Sequence, residues 1–390
     1  MRVLSLQEVE DLLYGACIFG TGGGGSLTEG LELVRRLYAE GKQISVISLD
    51  EVQDEWLVAS PYYVGSIAPP PEEVKKRLAG LPTLPDEVST LAAKALESHL
   101  GKKIEAVVAT ELGGNTACAI ETAMALQVPL VDADPAGRAV PDLAHTTFNI
   151  YGVSISPFAL ANRYGDTLIV HHAVNHDRAE QIARSFAAIS GNLAGVCDHP
   201  VEGRRLKQSV IAGTLSKAEC VGRAMRLARE QAQIPAFAIA AAGGGSVLFQ
   251  GSVRKATWQD VGGFIEGEVI IDPVQSFGSE PLTIWFRNEY MIARRGGEIL
   301  SIIPELISVL DHKTGAPILN PSCHPGMDVA VVTFPAPAAW ETEKGLSIFG
   351  PEYIGMDRSI YRQLSRRAGS CSRGGVQGER ADMHLNERQV

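Results

Sequence analysis

The chain has 390 residues, of which 45% are apolar, and this length exceeds what one ordinary hydrophobic core supports, so two domains are expected. The formal net charge is −10 and no dense stripe of lysine and arginine is present, which argues against nucleic acid as the main partner. Six cysteines are scattered without CxxC spacing, and no apolar run reaches the roughly 18 residues of a membrane span, so a cytoplasmic protein without membrane contact is expected.

The N-terminal segment predicts two helices joined by a glycine-rich turn. Residues 6–18 have helical periodicity, GTGGGG follows at 20–25, and Ser26 and Glu29 match a capping box that opens a helix to about Tyr38. Consecutive glycines let a ligand approach the backbone, and the N–H groups of the next helical turn favour an anion or a polarised oxygen. The pattern is neither a P-loop nor a dinucleotide fingerprint, and the alternative is a tight turn between helices. The candidate ligand contacts are Gly22, Gly23, Gly24, Gly25 and Ser26.

The following elements alternate between strands and helices. Strands are predicted at residues 44–49, 56–60, 104–110 and 129–134, and helices at 72–78, at 85–99 and after Asn115, which can cap the last of them. A crossover of this length makes the last two strands parallel, so Glu111, Asp132 and Asp134 emerge at one C-terminal edge of the sheet. Open α/β sheets bind ligands at that edge. Residues 1–165 are therefore predicted to form a three-layer α/β domain.

The acids at the strand ends are the candidate catalytic groups. Asp132 and Asp134 alternate along the strand, so their side chains point to opposite faces and one of them is expected to be structural. Glu111 and Arg138 converge on the same edge, which favours a catalytic or substrate-orienting role for at least one of the two aspartates. The alternatives are an ion pair with Arg138 and a divalent cation held by the three acids. His145, just past this loop, either acts as an acid or base or caps a turn.

The second half of the chain changes character. Helices are predicted at residues 177–189 and 216–231, with Ser216 as a cap, and from 236 to 335 short β-rich runs separated by glycine predict a small barrel or sandwich with inserted helices. Residues 166–365 are the predicted second domain, and the polar, glycine-rich residues 366–390 are a predicted flexible tail. The apolar, glycine-rich β-segments favour a homo-oligomer.

Two groups of polar residues in this half have alternative interpretations. Asn288 and Glu289 interrupt a β-run, so either they face solvent or they reach the pocket of the N-terminal domain. His171, His172 and His176 resemble a metal-binding tract, but they straddle a strand-to-helix junction and do not share one helical face.

Several segments, in the right order, resemble the S-methyl thiohydantoin desulfurase family. They span roughly residues 5 to 361 and are ACIFGTGGGG, ATELGGN, VPLVDADPAGRAVPDL, GGFIEGEV, FRNEYMIA, IPELISVLD and GLSIFGPEYIGMD. The resemblance implies an N-terminal α/β domain and a C-terminal domain that contains a β-barrel. It also implies hydrolytic removal of a methylthio group from a five-membered heterocycle.

This chemistry needs an activated water, a proton for the ring nitrogen and a thiolate leaving group. The sequence hypothesis makes Asp132 or Asp134 the general base, Glu111 the orienting group or proton donor, and Arg138 the substrate anchor. The further predicted substrate contacts are the glycine turn, Asn115, Asn288 and Glu289. No cofactor is required, although a metal-dependent hydrolase of a cyclic amide, with a divalent ion held by the acids and His171 or His172, is one alternative. A non-catalytic ligand-binding partner of a hydantoinase is the other.

Overall fold

The computed structural model describes residues 1–65 and 69–364 and contains two large sheets and one two-stranded pair. The elements that build the first sheet and its helices are β1 (Arg2–Val3), α1 (Leu6–Phe19), α2 (Leu27–Ala39), β2 (Ser45–Ile47), β3 (Leu57–Gly65), α3 (Glu72–Leu78), α4 (Val88–Leu100), β4 (Ala106–Val107), α5 (Thr116–Leu126), β5 (Leu130–Val131), β6 (Ala133–Asp134), α6 (Thr147–Ile150), β7 (Phe158–Ala161), β8 (Thr167–Val170), α7 (His176–Ile189) and β9 (Leu193–Glu202). The remaining elements are α8 (Gly203–Leu206), β10 (Ile211–Ala212), α9 (Thr214–Glu230), α10 (Pro235–Gly243), β11 (Ser246–Val261), β12 (Phe264–Pro273), β13 (Leu282–Arg287), β14 (Glu289–Arg295), β15 (Glu298–Ile302), β16 (Leu306–Asp311), β17 (Asp328–Phe334) and α11 (Glu343–Phe349).

The first sheet has eight strands in the order β1-β2-β5-β4-β3-β9-β7-β8. Its strands β2, β5, β4 and β3 run parallel, and the predicted strand–helix–strand unit is confirmed as β4, α5 and β5, with Val107 opposite Leu130. Strand β9 pairs antiparallel with both β3 and β7. The sheet therefore continues to Glu202, past the domain boundary that composition placed at residue 165.

Helices cover both faces of this sheet. On one face, Ala59 and Val107 pack into a core that includes residues of α1, α2, α4 and α5. On the other face, their neighbours Val58 and Ala106 pack with Phe148 of α6. Alternate residues of each buried strand thus contribute to different cores, as the pleat of a strand requires. The predicted three-layer α/β architecture is confirmed.

The second sheet has seven antiparallel strands in the order β15-β14-β13-β12-β11-β17-β16 and curls into a half-barrel. Its concave core contains Phe249, Ile284, Phe286, Val309 and Val331. The expected small barrel or sandwich is therefore a half-barrel, and α9 and α10 are the inserted helices that precede it.

Three further expectations concern parts of the chain outside the cores. The predicted tail at residues 366–390 lies outside the described residues. Within 1–65 and 69–364, no helix is both long enough and apolar enough to cross a membrane. The cysteines of the described ranges are free thiols, and most of them are buried.

Candidate active site

The glycine turn between α1 and α2 is fastened to the half-barrel by two backbone hydrogen bonds. The Tyr290 N–H donates to the Thr21 carbonyl at 2.7 Å, and the Asn320 N–H donates to the Gly22 carbonyl at 2.8 Å. Tyr290 lies in β14, and Asn320 lies in the loop between β16 and β17. The predicted helix–glycine turn–helix is confirmed, and this turn lies where the two halves of the chain meet.

The opposite side of the turn contacts the loop that follows β4. The Asn115 N–H donates to the Gly24 carbonyl at 2.8 Å. Gly24 and Gly25 have φ values of +77° and +92°, where glycine is favoured because other residues are strained. A Cβ on Gly25 would also lie 3.1 Å from the Asn115 nitrogen. Ser26 then caps α2 by accepting from the Glu29 N–H at 3.2 Å, as predicted.

Glu289 is the side chain that reaches from the half-barrel to the glycine turn. It is 2% exposed, and a Cβ on Gly23 would lie only 1.9 Å from Glu289 Oε1, so any larger residue here would displace the Glu289 carboxyl group. Glu289 Oε2 is buried and accepts no hydrogen bond from the described residues. Burial, followed by the charge of Glu111, raises the pKa of Glu289 well above its ordinary value. The charge of the nearby Arg138 guanidinium opposes this rise in pKa, and burial outweighs it.

Glu111 is the second buried carboxylate of the site, on the loop after β4. Its Oε1 accepts from Asn115 Nδ2 at 2.9 Å, and its Oε2 accepts from the Val140 N–H at 3.1 Å. Burial raises the pKa of Glu111 to about 7, although the two hydrogen bonds favour the ionised form. Burial thus raises the pKa of both carboxyl groups, and it raises that of Glu289 further.

The side chains of Asn288 and its neighbour Glu289 lie in different places. The predicted single β-run is broken at Asn288 into the hairpin β13–β14, and Asn288 occupies the left-handed region with φ +57°. Asn288 exchanges two hydrogen bonds with Ile265, through its N–H and through its side-chain Oδ1. Asn288 therefore shapes the turn and does not reach into the site, whereas Glu289 does.

Arg138 lies beside the site, and each nitrogen of its guanidinium group donates a hydrogen bond to another part of the protein. The side chain is fully buried and donates from Nε to the Ala139 carbonyl, from Nη1 to the Pro304 and Glu305 carbonyls, and from Nη2 to Thr21 Oγ1, all at 3.0–3.1 Å. These contacts join the loop after β6 to the half-barrel. Arg138 thus connects the two halves of the chain, and its contacts with the protein differ from those of the predicted substrate anchor.

Asp132 does not point into a shared cleft. Strand β5 ends at Val131, and Asp132 then accepts from both the N–H (3.0 Å) and the Oγ of Ser216. Helix α9 begins at Thr214, so Ser216 lies in its first turn and is not the predicted cap. A carboxylate that binds the free N–H groups of a helix start stabilises that helix. The contacts of Asp132 are those of a structural residue.

Asp134 is fully buried and is engaged by its own loop. Its Oδ2 accepts from the N–H groups of Ala136 and Gly137 at 2.8 and 2.7 Å. The expected strand at 129–134 is interrupted, because Asp134 belongs to β6 and pairs with Ile211 of β10. Burial raises the pKa of Asp134 to about 6. The sequence placed Glu111, Asp132 and Asp134 at one sheet edge and made one of the two aspartates structural. The contacts of Asp132 agree with a structural role, while Asp134 Oδ1 has no hydrogen-bond partner among the described residues.

A further polar group adjoins the site near α11. Asp142 Oδ1 lies 3.0 Å from His145 Nδ1, and Asp142 Oδ2 accepts from the Tyr353 hydroxyl at 3.5 Å. His145 packs against the rings of Phe349 and Tyr353, with centroid distances of 4.6 and 4.4 Å. Burial lowers the pKa of His145 to about 3, so this imidazole is neutral at physiological pH.

The predicted histidine tract is not assembled into one cluster. His171 and His172 are exposed, and the ring of His171 lies 5.9 Å from that of His99. His176 begins α7, with its ring 5.7 Å from that of His199. In the part of the chain that the structure describes, no group of three or more His, Cys, Asp or Glu side chains has an arrangement that could hold a metal ion.

Asn320 is the site residue that sequence reasoning missed. Its Nδ2 donates to the Asn288 carbonyl at 2.8 Å, while its Oδ1 is buried and has no partner among the described residues. The sequence offers only an Asn-Pro dipeptide at this position, which signals a turn and no chemistry.

The geometry therefore brings together the glycine turn, Glu111, Asn115 and Glu289, with Asn320 beside them. Two buried carboxylic groups whose pKa values are displaced to different extents have the properties that acid–base chemistry requires. Two clefts of about 590 and 170 Å³ lie elsewhere, the first against Lys94 and Lys102 and the second against Trp285.

Comparisons with known proteins agree with this two-part organisation. The model of the S-Me-THD-like N-terminal domain matches residues 7–172, and that of the S-Me-THD-like C-terminal domain matches residues 174–363. A protein from Chromobacterium violaceum, solved by X-ray crystallography, is 23% identical with a TM-score of 0.69, and the alignment covers 98% of this chain and 100% of that one. This similarity shows a common fold. No curated protein matches the chain.

Proposed function

Because the chain belongs to the S-Me-THD-like family, we propose that it hydrolyses an S-methyl thiohydantoin to methanethiol and a hydantoin. The observation that carries the mechanism is the pair of buried carboxylic groups at the glycine turn, Glu111 and Glu289, with pKa values displaced to different extents. The family description supports the substrate, and the pair supports acid–base chemistry.

The reacting carbon of such a substrate is bonded to two ring nitrogens and to sulfur. Protonation of the imine nitrogen makes this carbon electrophilic, and water then adds to it as hydroxide. The tetrahedral intermediate expels methanethiolate as its hydroxyl loses a proton and becomes a carbonyl. The oxygen and one proton of water end on the ring, and the other proton ends on sulfur, so no oxidant or reductant is needed.

The two glutamates can perform all of these proton transfers. Protonated Glu289 donates to the imine nitrogen, and ionised Glu111 takes a proton from water. After addition, Glu289 recovers a proton from the new hydroxyl, and Glu111 gives its proton to the departing thiolate. Both groups return to their starting states. Each positioned proton transfer contributes about 10²- to 10⁴-fold to the rate.

The direct test is to incubate the purified protein with a series of S-methyl thiohydantoins and assay methanethiol and hydantoin. In H₂¹⁸O the new ring carbonyl is expected to carry the label, because water is the nucleophile. Turnover should persist after treatment with a chelator. Loss of turnover on chelation, restored by a divalent ion, would favour the metal-dependent hydrolase. Tight hydantoin binding without any product would favour a ligand-binding subunit.

A further inference from the structure

Asn320 holds an unsatisfied acceptor next to the proposed catalytic pair. Its side chain is 8% exposed, and Oδ1 has no hydrogen-bond partner within 1–65 and 69–364. The orientation of the amide is fixed, because Nδ2 donates to the Asn288 carbonyl at 2.8 Å and a carbonyl oxygen can only accept. Oδ1 must therefore be the atom of the side-chain amide that has no hydrogen-bond partner among the described residues. A buried acceptor without a donor lowers the stability of the fold unless a ligand or a water molecule donates a hydrogen bond to it.

The position of this acceptor is also fixed by the glycine turn. The Asn320 N–H donates to the Gly22 carbonyl, and a Cβ on Gly22 would lie 2.7 Å from Asn320 Nδ2. Glu289 follows Asn288 directly and contacts the next glycine, Gly23. The side chains of Asn320 and Glu289, each with one free oxygen, thus lie against neighbouring glycines of the same turn.

We propose that Asn320 determines specificity, and that it selects five-membered rings with an unsubstituted ring N–H. This inference rests on the proposed function and names its substrate class. Asn320 Oδ1 accepts the ring N–H while Glu289 acts on the imine nitrogen of the same amidine-like carbon. A ring in which a methyl group replaces this N–H hydrogen leaves Asn320 Oδ1 unsatisfied, and the methyl group also clashes with that oxygen.

The test compares ring N–H substrates with their N-methyl analogues in the wild-type protein and in two variants. The wild type is expected to prefer the N–H ring by up to about 10²-fold in kcat/KM, since an analogue without the donor leaves a buried acceptor unsatisfied. Both Asn320→Ala and Asn320→Asp lose the donor to Asn288, but only the aspartate keeps an acceptor. The preference should fall below about fivefold in the alanine variant and persist in the aspartate variant.

Measurement of product binding tests the role of Asn320 independently of the proposed reaction. Calorimetric titration with hydantoin and N-methylhydantoin requires no turnover, and hydantoin should bind more tightly to the wild type by a similar factor. Equal affinity for the two rings, or an undiminished preference in Asn320→Ala, would overturn the inference even if methanethiol is released. Absence of methanethiol with a retained preference in binding would instead refute the proposed reaction alone. If Asn320→Ala does not fold, the wild-type comparison of the two rings decides.

Discussion

Replacement of Gly23 by alanine probes the contact on which the candidate site depends. A Cβ at this position would lie 1.9 Å from Glu289 Oε1, 2.7 Å from Cδ and 2.9 Å from Cγ, whereas real Cβ contacts essentially never fall below 3.0 Å. The carboxyl group must therefore move by about 1.1 Å, the difference between 3.0 and 1.9 Å. A misplacement of about 1 Å costs about 10²-fold in rate. We expect Gly23→Ala to lower kcat/KM for methanethiol release by about that factor.

The measurement is a thiol-release assay alongside a thermal melt that verifies folding. Gly41→Ala is the matched control, because its new methyl would meet nothing within 4 Å while its φ of +79° strains the backbone. That variant should lose stability and keep its turnover. In a Glu289→Asp background, where the carboxyl is withdrawn by one methylene, the Gly23→Ala change should cost less than about tenfold. A folded Gly23→Ala variant that keeps more than about a third of wild-type kcat/KM would refute the proposed role of Glu289.

Three further predictions concern proton transfer and stability. The kcat/KM for methanethiol release should rise with pH through about 7, the pKa of the base Glu111, and level only above it, where Glu111 is fully ionised. The rate should fall again where Glu289 loses its proton, and a profile that declines from pH 5 to 7 would contradict these roles. Asp132→Asn should lower the free energy of unfolding by about 1 kcal/mol, because the contact with Ser216 at the start of α9 is weakened, and denaturant titration should show this while kcat/KM stays nearly unchanged. Arg138→Met should lower the free energy of unfolding by at least about 2 kcal/mol, because it leaves buried carbonyl groups unsatisfied, and an unchanged denaturation midpoint would show that the tie between the two halves is dispensable.

The sequence predicted those parts of the site that depend on short windows of neighbouring residues. The glycine run between two periodic helical segments requires a turn, and the apolar run before Glu111 requires a buried strand, so both features could be expected from short windows of residues. The parallel arrangement of β4 and β5 followed from the length of the crossover between them. Each of these inferences needs only near neighbours in the chain.

The parts that sequence could not supply depend on distant partners. Glu289 had two open interpretations because its contact with Gly23 crosses from one half of the chain to the other. Asp132 stayed one of two candidates for the general base, because nothing near it in the sequence reveals that Ser216, in the first turn of α9, binds its carboxylate. Asn320 carries no motif, and only its unsatisfied oxygen in the folded protein marks it.

The most direct test of the central claim is a side-by-side measurement of methanethiol release by Glu111→Gln, Glu289→Gln and Asp132→Asn. If the two buried glutamates at the glycine turn are the acid and base, each of their variants should lose at least about 10² in kcat/KM, and Asp132→Asn should remain within about threefold of the wild type. Near-normal release by either glutamine variant, with Asp132→Asn inactive but folded, would contradict this assignment and return the reactive centre to the acidic strand end.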